Sequence, residues 1–465
     1  MILKIKKSSL FSPQPIEVPP SKSHSMRALV LSSFAEGSSE IKNFLMSGDT
    51  KTALSVFKSL GVKFKIEQKT KSSADILVFP PKEGLKKRIE KQKSVKIDTG
   101  NSGTLFYFLG SILSLISSDF VLTGDSSILK RPVKPLTEIY EGLGLKYEFL
   151  NSTERAPIRV LDAHIKGKEA PISRLGETSL IKDFEEKKLY LAGDFSQVVS
   201  GLLLGGALTD YSLQINLKRA GELPYLKMTL YWLKTCGIEF IVSDDFKTFK
   251  IAGGQKIPSF SSSIPGDWSS SAFPIALSLI TASPLSIKNI DINDVQGDAR
   301  IVEILKEMNA DIRFEEETQT LKIYPSSLKG GVFDCSDIPD AVPALSAISC
   351  FAKGETLLKN IEICRYKECD RISAIVSELT KLGADITEGK DFLLIRGIVG
   401  KNLKPAKVFS HGDHRIAMML AVIGAGIDSK DGSDFILQDA QCFDISYPSF
   451  LEELKNIGVN ITADK

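Results

Sequence analysis

The chain has 465 residues, 43% hydrophobic and 25% charged, which excludes a disordered or fibrous protein and leaves room for two or more compact domains, each with its own core. Its 59 basic and 57 acidic side chains leave a net charge of +2, so no global field draws it to nucleic acid or a membrane surface, and any anion it binds must be held by a local cluster. No apolar run reaches the eighteen or so residues of a membrane span and no secretory segment follows the first methionine, so cytoplasm is the expected compartment; six scattered cysteines without CxxC spacing fit reduced thiols.

In chain order, a strand-like "LKIKKS" (Leu3–Ser8) leads to the proline pair Pro19–Pro20, which stiffens the backbone and marks a first expected boundary. "PSKSHSMRALVLSSFAEG" follows, with Lys22, Ser23 and Arg27 crowding the first turns of a helix whose body is small and apolar. Serine hydroxyls and unpaired N–H groups at a helix start suit carboxylate or phosphate oxygens, and Lys and Arg neutralise them. An ordinary serine cap beside solvated charges accounts for the same residues. The basic run Lys82–Lys96 reads as a solvated loop and helix face rather than a nucleic-acid site.

The plan then repeats. "DTGNSGTLFYFLGSIL", "GDFSQVVSGLLLGGAL", "IPGDWSSSAFPIALSLI", "SDIPDAVPALSAISCFAKG" and "HGDHRIAMMLAVIGAG" each set a polar turn before a helix that is apolar on nearly every face. Such helices are buried. Between them come six helix stops that feed strand-like alternation, at Gly61, Gly144, Gly237, Asn309, Gly383 and Gly458. A repeat of this length suits a βαβαββ layer. The expected fold class is therefore α/β, with two lobes of three βαβαββ units each, built around buried helices. The second boundary falls near Ser261–Trp268, giving lobes of residues 21–264 and of 1–20 plus 265–465, with hinges near 19–21 and 261–268.

Three polar turns carry further chemistry. "DTGNSGTLF" (Asp98–Phe106) is a glycine-rich helix start without the lysine of a P-loop. "RYKECDRISAI" sets Glu368 and Arg371 one helical turn apart, which on its own reads as a solvated face with an i,i+3 pair. "SHGDHRIAMM" puts Asp413, His414 and Arg415 before an apolar helix, an anion-binding geometry. His411 and His414 lack helical ligand spacing and a third ligand nearby in the sequence, so no metal is expected.

Taken in order, "PPSKSHSMR", "GNSGT", "LKRPV", "IPDA", "YKECDR" and "GDHRIAM" resemble the 3-phosphoshikimate 1-carboxyvinyltransferases, the EPSP synthases, over nearly the whole chain. The resemblance implies two lobes, each an inside-out α/β barrel with its helices central, and an active site in the cleft between them. It implies enolpyruvyl transfer from phosphoenolpyruvate to the 5-hydroxyl of shikimate 3-phosphate, on the way to chorismate and aromatic amino acids. No metal or cofactor takes part, the partners are small molecules, and a monomer is the family expectation. Carried over by motif position, Lys22, Asn101, Gly103, Arg131, Gln197, Arg371 and Arg415 correspond to phosphoenolpyruvate contacts. Lys22, Ser23, Arg27, Ser196, Gln197, Tyr225, Asp340 and Lys367 correspond to contacts of shikimate 3-phosphate. Asp340 resembles the base that takes the hydroxyl proton, Glu368 resembles the acid that protonates the methylene, and Lys22 assists. Asp49 resembles a carboxylate on the substrate side, and His24 and Ser25 are expected to be structural.

The chain also departs from the family pattern. After "GNSGT" the family's arginine and proline are Tyr107 and Phe108; a motif serine is Phe195; Glu222 and Leu223 stand before Pro224–Tyr225; and the lysine of a C-terminal motif is Ile445. Losing that cation from a partly desolvated anion site costs roughly 2–5 kcal/mol of binding and asks for a compensating lysine elsewhere. Phe195, Glu222 and Leu223 fall on the acceptor side. They keep two alternatives open: an enolpyruvyl transferase with another hydroxyl acceptor, and a weakly active or non-catalytic phosphate-binding homologue.

Overall fold

The computed structural model describes residues 1–10, 15–117, 119–161, 186–397, 403–428 and 433–464. All six helix stops take the left-handed conformation, from φ 67° at Gly237 to 100° at Gly61, with Asn309 at 72°. Glycine bears that backbone at no steric cost and asparagine at little. Each stop reverses an outer helix into a strand.

Among the described residues the strands form six four-stranded sheets, each with one parallel and two antiparallel pairings. One unit shows the logic of four of them. Val95–Asp98 feeds the helix Gly103–Ile116, which crosses over to the parallel partner Phe120–Thr123; after Lys134–Gly142 the hairpin of Lys146–Phe149 and Ile158–Leu161 completes the sheet. A parallel pair needs a long crossover, and a helix supplies it. Gly103–Ile116, Ser196–Gly206, Val342–Ser349 and His414–Gly426 make this crossover, whereas Lys22–Ser33 and Trp268–Ile280 each link strands of two different sheets, and all six helices are buried along almost their whole length. They form the centre, and the sheets stay open rather than closing into a barrel.

The apolar interior divides into two cores, one running from Met26 to Ile264 and the other joining Leu3–Val18 to Trp268–Ile461. Ile2–Ile5 lies between Phe435–Gln438 and Ile461–Asp464 in one sheet. The two short strands Ile16–Glu17 and Ser261–Ser263 pair respectively with Leu285–Lys288 and Ser39–Leu45. Each leads at once into a buried helix of the other core. The two crossing segments run side by side: Ser21 N donates to Pro265 O at 2.8 Å and Asp267 N to Pro19 O at 2.9 Å. Gly266 sits so close to Asn289 that a Cβ there would lie 1.6 Å from its carbonyl oxygen, so only glycine fits. His24 and Ser25 tie down this region. Trp232 Nε1 donates to His24 Nδ1 at 2.9 Å, His24 Nε2 faces Asp294 at 3.2 Å, and Leu45 N donates to Ser25 Oγ at 3.1 Å. Among the described residues no helix is long and apolar enough to cross a membrane, and the six cysteines are free thiols.

Candidate active site

The polar N-terminal turns of the buried helices converge from both cores on one cleft. Its lining carries six basic side chains, Lys22, Arg27, Arg131, Lys367, Arg371 and Arg415, against four carboxylates, Asp49, Glu222, Asp340 and Glu368. An excess of cations walled by apolar helices suits a substrate bearing several negative charges.

On the first wall, Ser21 caps the opening helix and Lys22 reaches Asp49 at 3.2 Å. Arg27 has four of its five N–H groups engaged by the protein. Its Nε donates to Thr229 Oγ1 at 2.8 Å, and its terminal nitrogens donate to Ser23 O at 3.0 Å, Tyr225 O at 2.9 Å and Ser200 Oγ at 3.4 Å. Burial pushes this guanidinium down to about 9, with Tyr225 and Glu222 opposing. Arg131 lies flat on Gly103, where a Cβ would come 2.0 Å from a guanidinium nitrogen, so glycine is what admits the arginine. Gln197 Nε2 donates to Thr104 Oγ1 at 3.0 Å. Ser196, at the start of its helix, gives both its N–H (3.3 Å) and its hydroxyl (2.8 Å) to Glu222.

On the second wall Arg371 is the hub. Its three nitrogens reach Asp413 at 2.7 Å, Asp340 at 2.7 Å and Glu368 at 2.6 Å. Arg415 donates to Asp340 Oδ2 at 3.0 Å and to Ser269 Oγ at 2.9 Å. Burial alone would raise both candidate proton-transfer carboxyls. Arg415 and Arg371 nevertheless hold Asp340 well below the usual carboxylate range, and Arg371 and Arg131 do the same for Glu368. Both are therefore ionised at neutral pH. Substrate anions that pair with these guanidiniums weaken that hold, and the carboxylates become better proton acceptors as the cleft fills. Contacts span the cleft: Arg131 meets Glu368 at 3.1 Å, Lys367 meets Glu222 at 2.6 Å, and Tyr225 Oη lies 3.1 Å from Asp340.

Seen from the sequence, Lys22, Ser23, Arg27, Gly103, Arg131, Ser196, Gln197, Tyr225, Asp340, Lys367, Glu368, Arg371 and Arg415 all line this cavity, and so does Asp49. Asn101 does not, its amide donating instead to Asp125 at 2.9 Å. The solvated face read for "RYKECDR" is corrected: the i,i+3 pair exists, but Arg371 is 1% exposed, because the opposite wall and the Asp413 turn cover it. Tyr107 is buried, donates to Pro132 O at 2.9 Å and packs on Phe195, which in turn meets Tyr366 of the other wall. Ile445 packs against the second core, its backbone beside Gly48, and among the described residues the lysines lining the cavity are Lys22 and Lys367. Among the described residues no further lysine there replaces the missing cation.

His414 has nearby ligand-type groups that the sequence did not suggest. Glu368, Asp413 and His414 bring their donor atoms within 4.8 Å of one another. The two carboxylates, however, already hold the guanidiniums of Arg131 and Arg371, and Asp413 also accepts from Arg415 N at 2.8 Å. A dication there would have to displace guanidiniums. The buried His414 ring has no hydrogen-bond partner on either nitrogen, and burial, then Lys22, keeps it neutral.

Sequence reasoning also missed Asp298, since nothing in "QGDAR" announces a site. Tyr225 Oη lies 3.2 Å from Asp298 and 3.1 Å from Asp340, and a phenol has one proton for two carboxylates. A proton on Asp298 satisfies both. Burial, and then the Asp340 charge, accordingly pushes Asp298 up to about 7. The folded protein therefore binds more protons than the unfolded chain between about pH 4 and 7, and stability falls as pH rises through that window. Asp298→Asn is expected to remove about 2–3 kcal/mol of the loss between pH 5 and 8. Chemical denaturation of both proteins at the two pH values checks this. Glu453, also raised to about 7 by burial, contributes equally to both and cancels in the difference.

Residues 14–454 match the family model for EPSP synthase (3-phosphoshikimate 1-carboxyvinyltransferase). Among curated relatives, the 3-phosphoshikimate 1-carboxyvinyltransferase of Ruminiclostridium cellulolyticum is 35% identical over 461 residues, covering 99% of each chain. That of Methanococcus aeolicus is 36% identical and covers 96% of each. An EPSP synthase structure from Acinetobacter baumannii matches the full length of both chains with a TM-score of 0.75 at 24% identity. The enolpyruvyl transferase NikO from Streptomyces tendae, at 15% identity, covers 99% of this chain and 98% of its own with a TM-score of 0.73. These two likenesses are of fold.

Proposed function

The chain belongs to the EPSP synthase (3-phosphoshikimate 1-carboxyvinyltransferase) family, and from that premise we propose that its cleft moves the enolpyruvyl group of phosphoenolpyruvate onto the 5-hydroxyl of shikimate 3-phosphate. The observation that carries the reading is the Arg371 hub, which holds Asp340 and Glu368 on adjacent nitrogens of one guanidinium. Addition across the enol needs one proton removed and one delivered within a few ångströms, and two carboxylates fixed to one rigid fork meet that need.

In this reading Asp340 accepts the proton of the acceptor hydroxyl as its oxygen bonds to C2 of phosphoenolpyruvate, and Glu368, which takes up a proton once substrate anions draw Arg371 and Arg131 away from it, passes that proton with Lys22 to C3. Loss of a C3 proton then restores the double bond as the C2–phosphate bond breaks and inorganic phosphate leaves. Lys22, Arg131, Arg371, Arg415, Gly103 and Gln197 bind the phosphoenolpyruvate anion. Ser23, Arg27, Ser196, Tyr225 and Lys367 bind the acceptor. Arg27 has one Nη1 N–H left for the acceptor, its other four being taken by Thr229, Ser200 and two carbonyls. The two cores support a division at residues 21–264 against 1–20 plus 265–465, hinged at the paired crossings. The reading extends to a cytoplasmic monomer that acts on small molecules and not on nucleic acid, in keeping with its near-neutral charge.

Phosphate release from phosphoenolpyruvate tests it, with shikimate 3-phosphate as acceptor and UDP-N-acetylglucosamine as control. Release is expected with the first alone. No release with shikimate 3-phosphate at millimolar phosphoenolpyruvate overturns the reading, and release with the control alone moves the chain to another acceptor.

A further inference from the structure

We propose that Glu222 sets acceptor specificity: its carboxylate occupies the cradle that the anionic group of the acceptor must enter, and it bolts the two walls together until that group displaces it. The inference rests on the reading above, which places Ser196 and Lys367 at the acceptor.

Glu222 Oε2 accepts from the N–H and the hydroxyl of Ser196, and Oε1 accepts from Lys367 Nζ at 2.6 Å. An ammonium, a hydroxyl and the first N–H of a buried helix together are the donor set that a phosphate or carboxylate group requires. Here a side chain of the protein fills it. Ser196 and Glu222 stand on one wall and Lys367 on the other, so the contact ties the two walls together through the protein's own side chains. Arg27 offers only a partial alternative anchor, since Thr229, Ser200, Ser23 and Tyr225 engage four of its five N–H groups.

The backbone at Glu222 is poised for release. Its φ of 48° and ψ of 47° are left-handed, a conformation rare for a residue with a Cβ and kept only where the surroundings hold it. Glu222 also borders a second, wider cavity, lined beyond it by Asp194, Phe195, Arg219, Asp337 and Tyr366. A carboxylate leaving Ser196 and Lys367 has that space to enter, with Arg219 on its wall. The acceptor's phosphate then takes both donors, and Lys367 exchanges an internal anion for a bound one. Two anions cannot share the cradle, because like charges about 4 Å apart repel strongly in a partly desolvated site. Every acceptor with a negative group at this position must therefore expel Glu222 first, and acceptors without one gain nothing from Lys367.

Calorimetric titration with shikimate 3-phosphate and with unphosphorylated shikimate, on the intact wild type, Glu222→Ser and Glu222→Gln, tests this directly. Both variants are expected to bind shikimate 3-phosphate at least about tenfold more tightly than wild type, with shikimate itself changed less than about twofold. Glu222→Gln keeps the shape and the Ser196 contact, so its gain isolates the charge. In turnover the gain falls on KM rather than kcat. Unchanged or weaker binding in both variants overturns the inference, as does equal tightening of shikimate, which would mean only a roomier pocket. Absence of shikimate 3-phosphate binding in all three overturns it too. If the variants bind more tightly but no protein releases phosphate, the latch stands and the proposed reaction falls; if wild type turns over and affinities do not differ, the reverse holds.

Discussion

Replacing Asp340 with asparagine is expected to slow phosphate release from phosphoenolpyruvate by about 10²–10⁴-fold, the range set by loss of a positioned general base. The substitution keeps the side chain's size but only one oxygen, so the amide turns its NH2 toward either Arg371 or Arg415, which bond different oxygens of the carboxylate, and the ability to take a proton is lost. Asp340 accepts from Arg371 at 2.7 Å, from Arg415 at 3.0 Å and from Tyr225 at 3.1 Å. These donors come from both walls, so the carboxylate is fixed in place before any substrate arrives. Preorganisation of this kind acts on the chemical step. The loss is therefore expected in kcat and in single-turnover quench experiments, with acceptor affinity little changed. The variant also leaves the cleft one charge more positive. Its thermal midpoint should drop without ligand and recover when phosphoenolpyruvate and acceptor are both present, through mass action on the folded state. A rate loss smaller than tenfold removes Asp340 from the base role and shifts attention to Tyr225 and Asp298.

Local chemistry made the scaffold legible. The six stops were readable because a left-handed helix end admits few residue types, and five glycines and Asn309 all adopt it. The six central helices were readable because nothing but burial explains apolar residues on every face. Individual strand pairings were not. Three serines, Ser261–Ser263, carry no period that names Ser39–Leu45 as their partner; that choice belongs to the tertiary fold. The site divides in the same way. Lys22 and Arg415 stood out as charges set before apolar helices and Arg131 and Asp340 came only from the family resemblance, whereas their partners did not stand out. The solvated reading of Glu368 and Arg371 failed because i,i+3 spacing fixes the pair and says nothing of the chain that covers it. Asp298 is invisible in sequence because its character comes from Tyr225 and Asp340, 73 and 42 residues away by position number. Glu222 showed as a departure, while its grip on Lys367, across the cleft, required three-dimensional placement. His24 likewise finds its partner in Trp232, 208 residues downstream.

Arg371→Met carries the largest expected effect on stability, about 3–5 kcal/mol at pH 7.5, because removing one member of a buried ionic network strands the rest. Methionine keeps the apolar stem as far as the position of Nε but not the three outer atoms of the fork, so part of the loss is packing at this buried site and the pH-dependent part reports the charge. What is lost is the cation that Asp340, Glu368 and Asp413 share. Arg415 remains for Asp340 and Arg131 for Glu368, which leaves Asp413, fully buried, with the least compensation. The pH dependence has a definite sign. In the wild type Arg371 helps hold Asp340 and Glu368 below their unfolded values, so their contribution is present above the ordinary carboxylate range and is lost as pH falls. Without the guanidinium these carboxyls rise, and the folded variant gains from protonation what it forfeits at neutral pH. The deficit against wild type should therefore be greatest at pH 7.5 and should shrink at pH 4.5, as denaturant titrations at the two values would record. Arg371→Lys should fall between, since one ammonium cannot reach three carboxylates in the plane that a guanidinium fork spans. A deficit below 1 kcal/mol at pH 7.5, or one equal at both pH values, would mean that the three carboxylates do not depend on Arg371 for their charge.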